Sequence, residues 1–166
     1  MGDLVKVLSL DIASTFGWAL GEHDGRQGVV THSGEISLIA KDAHPGTRFL
    51  RFNEFLSKFR GVKEILYEDV PRFESAGAAR VYCGLLAHLQ VFCLVQGIRL
   101  TNMKPGSIKK HFTGNGNANK EMMCDTAHKL GWGGGMAGTQ LAHNECDAIA
   151  LMWVVFTIRG LDPKFA

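Results

Sequence analysis

The sequence lacks most of the features that mark specialised classes of protein. Its four cysteines form no CxxC pair and have no metal-ligand spacing, which argues against a zinc module or a disulfide framework and favours a reducing compartment. The first residues show no signal-peptide pattern, and no uncharged apolar run reaches the roughly 20 residues that a membrane span needs. We therefore expect a cytoplasmic protein without a membrane segment.

Negative charge is missing from one long stretch. Residues 75–120 contain no Asp or Glu, although the whole chain carries 16 acidic and 18 basic side chains. The basic residues of this stretch are Arg80, Arg99, Lys104, Lys109, Lys110 and Lys120. A basic block in a nearly neutral protein predicts one surface that attracts phosphates, while an ordinary solvated helix surface is the alternative.

The chain is long and apolar enough for one compact domain. Its 166 residues are 46% hydrophobic and contain no visible linker or repeat. Apolar periodicity predicts an α/β domain in which helices flank a mixed five-stranded sheet. The predicted strands are residues 4–11, 16–20, 28–38, 65–68 and 98–103, and the predicted helices are residues 47–60, 75–96, 105–112, 119–130 and 144–159.

Three acidic residues lie where this fold would bring them together. Asp11 ends the first predicted strand, Glu68 ends the fourth, and Asp147 lies in the last helix among apolar neighbours. Three carboxylates in one pocket repel one another unless cations neutralise them, and Mg²⁺ or Mn²⁺ favours such oxygen ligands. Taken alone, Asp11 is also typical of a turn and Glu68 of a surface strand end. Asp147 is harder to explain this way, because a carboxylate among core residues needs a partner.

A glycine loop leads into a lysine. Lys120 opens a predicted helix, where its charge opposes the helix dipole, so we expect it to reach a phosphate and offset charge in a transition state. A solvated lysine at a helix start is the alternative. We expect Lys109 and Lys110 to contact flanking phosphates. The backbone at Gly114 and Gly116 is also suited to cradle a phosphate, although a glycine pair alone is a weak signal.

These segments resemble the motifs of RuvC-type Holliday junction resolvases, especially those carried by bacteriophages. The resemblance runs from Leu8 to Leu151 and is most specific at residues 109–120, KKHFTGNGNANK, which are similar to the family's K-x4-G-x-G-x-A-x-K signature. It implies a ribonuclease H-like fold and a crossover junction endodeoxyribonuclease that makes paired nicks in four-way or branched DNA. It also implies two Mg²⁺ ions, replaceable by Mn²⁺, at Asp11, Glu68 and Asp147.

One position departs from the family's pattern. The family has a fourth metal ligand three residues before the final acid, commonly Asp and sometimes His, and this chain has Asn144 there. An asparagine keeps one carbonyl ligand but loses the charge, so we expect weaker metal binding and slower cleavage. His143 and Glu145 lie on either side and would substitute if the helix begins late. The sequence alone is compatible with a natural asparagine or with an introduced Asp-to-Asn change.

The loop after Glu68 resembles the part of the resolvases in which an aromatic residue wedges into the junction. Phe73 is the matching aromatic residue and Arg72 a candidate contact to the DNA backbone, while a hydrophobic staple on the next helix is the alternative for Phe73. That helix, residues 75–96, has more apolar surface than one core contact requires. We assign the surplus to a twofold homodimer, whose two sites would match two symmetry-related strands of a four-way junction.

Other functions stay open beside this one. A monomeric RNA-processing nuclease would have the same fold. A branched-DNA-binding protein that has lost cleavage is compatible with Asn144. A sugar-kinase-like or actin-like ATPase domain also has an Asp after its first strand, but that fold needs two such domains and a longer chain.

Overall fold

The computed structural model describes residues 3–39, 41, 43–132 and 142–166. Its strands are β1 (Val5–Asp11), β2 (Thr15–His23), β3 (Gln27–Ser37), β4 (Val62–Glu68), β5 (Arg99–Met103) and β6 (Asp162–Phe165). Its helices are α1 (Thr47–Ser57), α2 (Ala76–Gln96), α3 (Pro105–Thr113), α4 (Lys120–Lys129) and α5 (His143–Ile158). The strands form one mixed sheet in the order β5-β4-β1-β2-β3-β6.

The first three strands form an antiparallel meander, and β4 and β5 add to β1 as parallel neighbours. The turn between β2 and β3 is held by Asp24, whose Oδ1 accepts hydrogen bonds from the backbone N–H groups of Arg26 and Gln27 at 2.8 Å. A bulge in β3 shifts the register between Leu20 and Gly21 of β2. Thr31 is the extra residue of this bulge and has no opposite residue on β2.

Helices cover both faces of the sheet. One core lies between the sheet and α1 and α2, and the other lies under α3, α4 and α5. Helix α5 packs very closely on β2, because a Cβ atom at Gly17 would lie 1.7 Å from the carbonyl oxygen of Asn144. The Ser9 hydroxyl of β1 also donates a hydrogen bond of 2.6 Å to the carbonyl of Ala148. These two contacts fix the first turns of α5 above the ends of β1 and β2.

The sheet has six strands, so the predicted number of five was wrong. The sixth strand, β6, pairs in parallel with β3 at the edge of the sheet. The sequence of β6 has no strand signal, because Asp162, Pro163 and Lys164 interrupt it and proline donates no hydrogen bond to a ladder. Its Phe165 packs on Trp132 and Trp153, with ring centroids 4.8 and 4.7 Å apart.

Helix α2 is apolar and largely exposed. By length and composition it is able to cross a membrane, and only 22% of its most apolar stretch is buried. Core helices of other proteins meet the same criterion, so one such helix is weak evidence for a membrane. Its buried residues Tyr82, Leu85, Leu89 and Cys93 face α1 and the sheet.

One pair of cysteines corrects the expectation that no disulfide forms. Cys124 and Cys146 are joined, with their Cα atoms 5.4 Å apart, and the bond ties α4 to α5. Cys83 and Cys93 are free thiols. The two cysteines are 22 residues apart, and no local sequence pattern pairs them, so only the packing of α4 on α5 reveals the disulfide.

Candidate active site

A row of residues crosses the sheet where β1 and β4 end. Asp11 pairs with Gly17 of β2, and Gly17 pairs with Glu35 of β3. Glu68 follows the Leu10–Tyr67 pair by one residue, so it neighbours Asp11. Side chains alternate along a strand, and Ser9 contacts α5, so Asp11 and its partners in the row point towards α5 as well. The sheet register therefore places Asp11, Glu68 and Glu35 under the first turns of one helix.

The carboxyl groups of Asp11 and Glu68 form a hydrogen bond with each other. Burial, followed by repulsion from Glu68 and Asp147, raises the pKa of Asp11 well above its ordinary value. Burial is also the main cause of the raised pKa of Glu68, and repulsion from Asp147 adds to it. Two carboxyl groups bond only when one is protonated. The raised pKa values of both groups favour one proton shared between the two carboxyl groups.

Asp147 and two lysines line a small cavity beside this pair. The cavity has a volume of about 90 Å³, and its walls are Glu68, Pro105, Ile108, Lys109, Lys120, Met123 and Asp147. Burial raises the pKa of Asp147, while the positive charges of Lys120, Lys109 and His143 oppose that rise. The cavity therefore combines carboxylates that lack full charge compensation with ammonium groups that are suited to hold a phosphate.

The chemistry of these side chains fits a divalent cation. As the side chains stand, no three His, Cys, Asp or Glu residues of the described ranges form a ready-made metal site, and Asp11 and Glu68 bond to each other instead. All three acids nevertheless have raised pKa values in one buried region. A cation would replace the shared proton and relieve the repulsion, and carboxylate oxygens favour Mg²⁺ or Mn²⁺.

The candidates for a fourth ligand point in different directions. The Nδ2 group of Asn144 donates hydrogen bonds to Glu35 Oε2 at 2.8 Å and to the carbonyl oxygen of Thr15 at 3.3 Å. The Glu145 carboxylate accepts a hydrogen bond from the hydroxyl of Ser33 on β3, so the structure does not bring Glu145 to the other acids. His143 is exposed at the start of α5.

The lysines and the glycine loop separate into different roles. Lys109 and Lys120 line the cavity, whereas Lys110 is exposed and does not line it. Lys120 begins α4, whose cap is Asn119, and Asn119 Oδ1 accepts a hydrogen bond of 2.9 Å from the N–H of Met122. Gly114 ends α3 at φ 82°, and its N–H donates to the carbonyl of Lys110, so this N–H is already engaged.

Gly116 lies beside Gly106 and Lys110. A Cβ atom at Gly116 would be 3.6 Å from the Gly106 carbonyl oxygen and 3.8 Å from the Lys110 Cβ. The loop therefore packs against the start and the last turn of α3. The phosphate cradle that the sequence suggested at Gly114 and Gly116 remains a prediction.

The loop after Glu68 is attached to α2 through Tyr82. The Tyr82 hydroxyl donates a hydrogen bond to the Glu68 carbonyl at 2.8 Å and accepts one from the Val70 N–H at 3.3 Å. Its ring packs on Phe73 with centroids 5.1 Å apart, and burial raises the pKa of Tyr82 to about 12. Phe73 is half-buried and Arg72 beside it is exposed.

Sequence reasoning missed Tyr82 and Glu35. Tyr82 has the helical spacing of an ordinary core residue, so nothing in the sequence marked it as functional. Glu35 is a single acidic residue in a strand that is mostly polar near it, so it resembled a solvent-exposed side chain. Only the sheet register could have pointed to Glu35, by way of its pairing with Gly17.

Three solved structures that match this chain over most of its length identify the fold. The structure of T. thermophilus RuvC in complex with a Holliday junction substrate matches with a TM-score of 0.72 and 18% sequence identity, over 93% of this chain and 95% of that chain. The fold is that of RuvC. This result confirms the predicted RuvC-type, ribonuclease H-like fold.

Two further structures share the RuvC fold. Another Thermus thermophilus RuvC structure has a TM-score of 0.70 and 17% identity, over 94% of this chain and 97% of that chain. The yeast mitochondrial Holliday junction resolvase Ydc2 has a TM-score of 0.64 and 14% identity, over 93% of this chain and 80% of that chain. The sequence itself matches no family model and no curated protein.

Proposed function

We propose that this chain is a divalent-metal-dependent endonuclease of one domain that resolves four-way or branched DNA by paired nicks. The observation that carries the proposal is the set of Asp11, Glu68 and Asp147, which meet beside Lys109 and Lys120 at one end of the sheet. A RuvC of the same fold has been solved with a Holliday junction, which supports branched DNA as the substrate.

The chemistry would be hydrolysis of a phosphodiester. Asp11, Glu68 and Asp147 would hold two Mg²⁺ ions, which activate the attacking water and stabilise the leaving 3′ oxygen when bound. Lys120 would place its ammonium group against the scissile phosphate and offset the charge that develops on it. Lys109, on the same cavity wall, would hold the phosphate in position.

The DNA would lie across α3, α4 and the loop after Glu68. Lys110 is exposed next to the cavity and would contact a neighbouring phosphate, and Arg72 would contact the backbone. Phe73 would stack at the branch point, since it lies five residues beyond Glu68 and is packed on Tyr82. The absence of acidic residues from 75 to 120 keeps this surface attractive to phosphates.

The protein would act as a homodimer through α2. Val91, Leu94 and Val95 are 61%, 82% and 71% exposed, which leaves an apolar stripe on a helix whose opposite side is buried. Such a stripe is typical of an interface, and a twofold dimer would direct two active sites to two strands of a junction. We place this dimer in the cytoplasm, which is the host cytoplasm if a bacteriophage encodes it.

A gel assay tests the proposal. The protein is incubated with a labelled four-way junction, a matched duplex and a structured RNA, each with Mg²⁺, Mn²⁺ or chelator. We expect nicks only in the junction and only with metal. Asp147→Asn should lower the cleavage rate by at least about 100-fold, the scale of losing metal positioning, while junction binding persists. Asp125→Asn, on the exposed side of α4, serves as the matched control.

Other results would point to the remaining functions. Cleavage of RNA but not of the junction would favour an RNA-processing nuclease. Tight junction binding without cleavage under any metal would favour a binding protein, for which the neutral Asn144 is the relevant observation. Equal cleavage by the wild-type protein and by Asp147→Asn would remove Asp147 from the site.

A further inference from the structure

We propose that Glu35 is a positioning residue that orients the side chain of Asn144, so that the amide carbonyl oxygen Oδ1 serves as a neutral ligand in the metal site. The inference rests on the proposed function, because it concerns the same site. It explains how a chain without an acid at position 144 would retain a fourth ligand there.

The backbone of Asn144 lies over Gly17, the residue that pairs with Asp11. A Cβ atom at Gly17 would be 1.7 Å from the carbonyl oxygen of Asn144, so the first turn of α5 occupies the space above this glycine. Gly17 is the β2 partner of Asp11. Asp147 follows Asn144 by three residues and lies on the same side of α5. Asn144 is therefore one strand away from Asp11 and one helical turn away from Asp147.

The hydrogen bonds leave only one orientation for the amide. Nδ2 donates to Glu35 Oε2 at 2.8 Å and to the Thr15 carbonyl oxygen at 3.3 Å, which uses both of its hydrogens. A flipped amide would place Oδ1 against these two acceptors, and that arrangement is repulsive. Oδ1 therefore points away from β2 and β3, and it accepts no hydrogen bond from the part of the chain that the structure describes.

The charge of Glu35 also strengthens the amide as a ligand. A hydrogen bond from an amide to a carboxylate is charge-assisted, and it draws electron density towards the carbonyl end of the amide. Glu35 is exposed and lies two strands away from Asp11 in the same row of the sheet, so it would act on the metal only through the amide of Asn144. In this arrangement a neutral ligand gains part of the effect of a charged one.

The same geometry explains why an acid is unfavourable at position 144. An aspartate there would present two acceptor oxygens to the Glu35 carboxylate and the Thr15 carbonyl, which are themselves acceptors. Asn144→Asp alone should therefore destabilise the metal-free protein. The aspartate should become favourable only when Glu35 has lost its charge.

A double-mutant cycle on metal binding tests the inference. The proteins are the wild type, Glu35→Gln, Asn144→Asp and the double variant, with Glu22→Gln on β2 as the matched control. Mn²⁺ affinity is measured by titration calorimetry without DNA, and the midpoint of thermal unfolding, Tm, is measured in chelator. Neither measurement depends on cleavage.

We expect Glu35→Gln to have opposite effects on Mn²⁺ affinity in the wild type and in the Asn144→Asp variant. Glu35→Gln should weaken Mn²⁺ binding about threefold to tenfold with little change in Tm, since glutamine still accepts the hydrogen bond but carries no charge. Asn144→Asp should lower Tm in chelator, and adding Glu35→Gln should restore it. The double variant should bind Mn²⁺ about tenfold more tightly than Asn144→Asp alone. Glu22→Gln should match the wild type in both measurements.

Two results would overturn the inference. One is wild-type Mn²⁺ affinity in Glu35→Gln, and the other is a gain from Asn144→Asp that does not depend on residue 35. If Mn²⁺ binding requires Asp147 but not Glu35, this inference fails and the proposed nuclease stands. If the wild-type protein binds no Mn²⁺ at all, both fail.

Discussion

The hydroxyl group of Tyr82 donates a hydrogen bond of 2.8 Å to the backbone carbonyl of Glu68. The same hydroxyl accepts a bond from the Val70 N–H, and the ring packs on Phe73. One side chain of α2 therefore holds both the end of β4, where a proposed metal ligand lies, and the loop that is proposed to meet the DNA branch point.

Tyr82→Phe should raise the Mg²⁺ concentration needed for cleavage several-fold. The change removes two hydrogen bonds, each worth about 1 kcal/mol, but keeps the ring that supports Phe73. Tyr67→Phe is the matched control, because its hydroxyl on β4 accepts a 3.3 Å bond from Asn102 and does not contact the Glu68 backbone. The Mg²⁺ dependence of junction cleavage is the measurement. Identical Mg²⁺ requirements in the two variants would show that Tyr82 does not position Glu68.

Asp11→Asn should stabilise the metal-free protein at neutral pH. The folded protein raises the pKa of Asp11 above its ordinary value of 3.8, so between the two pKa values the folded state binds more protons than the unfolded state. The stability of the wild type should therefore fall as the pH rises through this window. In the Asp11→Asn variant this loss of stability does not occur, because asparagine does not ionise. We expect a Tm in chelator at pH 7 that is higher by roughly 2–4 °C, the shift that about 1 kcal/mol gives in a protein of this size.

The pH dependence provides the control for this prediction. The advantage of Asp11→Asn should shrink as the pH is lowered towards the unfolded pKa, where the wild-type carboxyl is protonated in both states. Asp125→Asn, at an exposed position of α4, should leave Tm unchanged across the range. A lower Tm for Asp11→Asn than for the wild type at pH 7 would contradict the raised pKa of Asp11.

Replacing any one of Lys109, Lys110 and Lys120 with alanine should reduce the salt dependence of junction binding. Each neutralised phosphate releases counterions and adds about 0.9 to the slope of log affinity against log salt on duplex arms. Each Lys→Ala variant should therefore flatten the slope by about one unit in a binding titration at several salt concentrations. Lys63→Ala is the control, since Lys63 lies at the opposite end of β4 from Glu68. A wild-type slope in all three variants would place the DNA on another surface.

Phe73→Ala should weaken the preference for a junction over a duplex without changing the salt slope. Stacking of an aromatic ring on a base is worth about 1–3 kcal/mol and releases no counterions. We therefore expect roughly a tenfold loss of preference in competition binding, and Phe73→Tyr, which keeps an aromatic ring, should retain it. Full preference in Phe73→Ala would favour the alternative that Phe73 only packs on α2.

Elements with strong local signals could be predicted from the sequence. Helix α2 begins after Ser75, whose Oγ accepts a 3.1 Å bond from the Ala78 N–H, and ends at Gly97, which has φ 65°. Serine starts a helix because its side-chain oxygen accepts a hydrogen bond from the first turn. Glycine ends a helix because it readily adopts a positive φ. The strand ends at Asp11 and Glu68 follow apolar runs, so the two carboxylates could be placed at one edge of the sheet.

The features that the sequence did not predict depend on distant partners. The charge of buried Glu64 is balanced by Arg159, with contacts of 2.7 and 2.8 Å between residues that are 95 positions apart. The contact between Glu35 and Asn144 spans 109 positions. No local sequence pattern predicts such contacts, because they form only when strands and helices take their final positions. Strand β6 belongs to the same class, since only its place beside β3 makes it a strand.

The unpaired Thr31 decides which face of the sheet receives Glu35. Beyond the bulge, β3 is shifted by one residue, and this shift aligns Glu35 with Gly17. If Thr31 instead paired with Leu20 and no bulge formed, Gly34 would oppose Gly17, and Glu35 would oppose Phe16, whose side chain lies in the core on the other face. Deletion of Thr31 should therefore remove the bulge and leave Glu35 opposite Gly17, because His32 would then follow Val30 directly in the ladder. The bulge at Thr31 therefore sets the register that brings Glu35 into the same row of the sheet as Asp11 and Gly17.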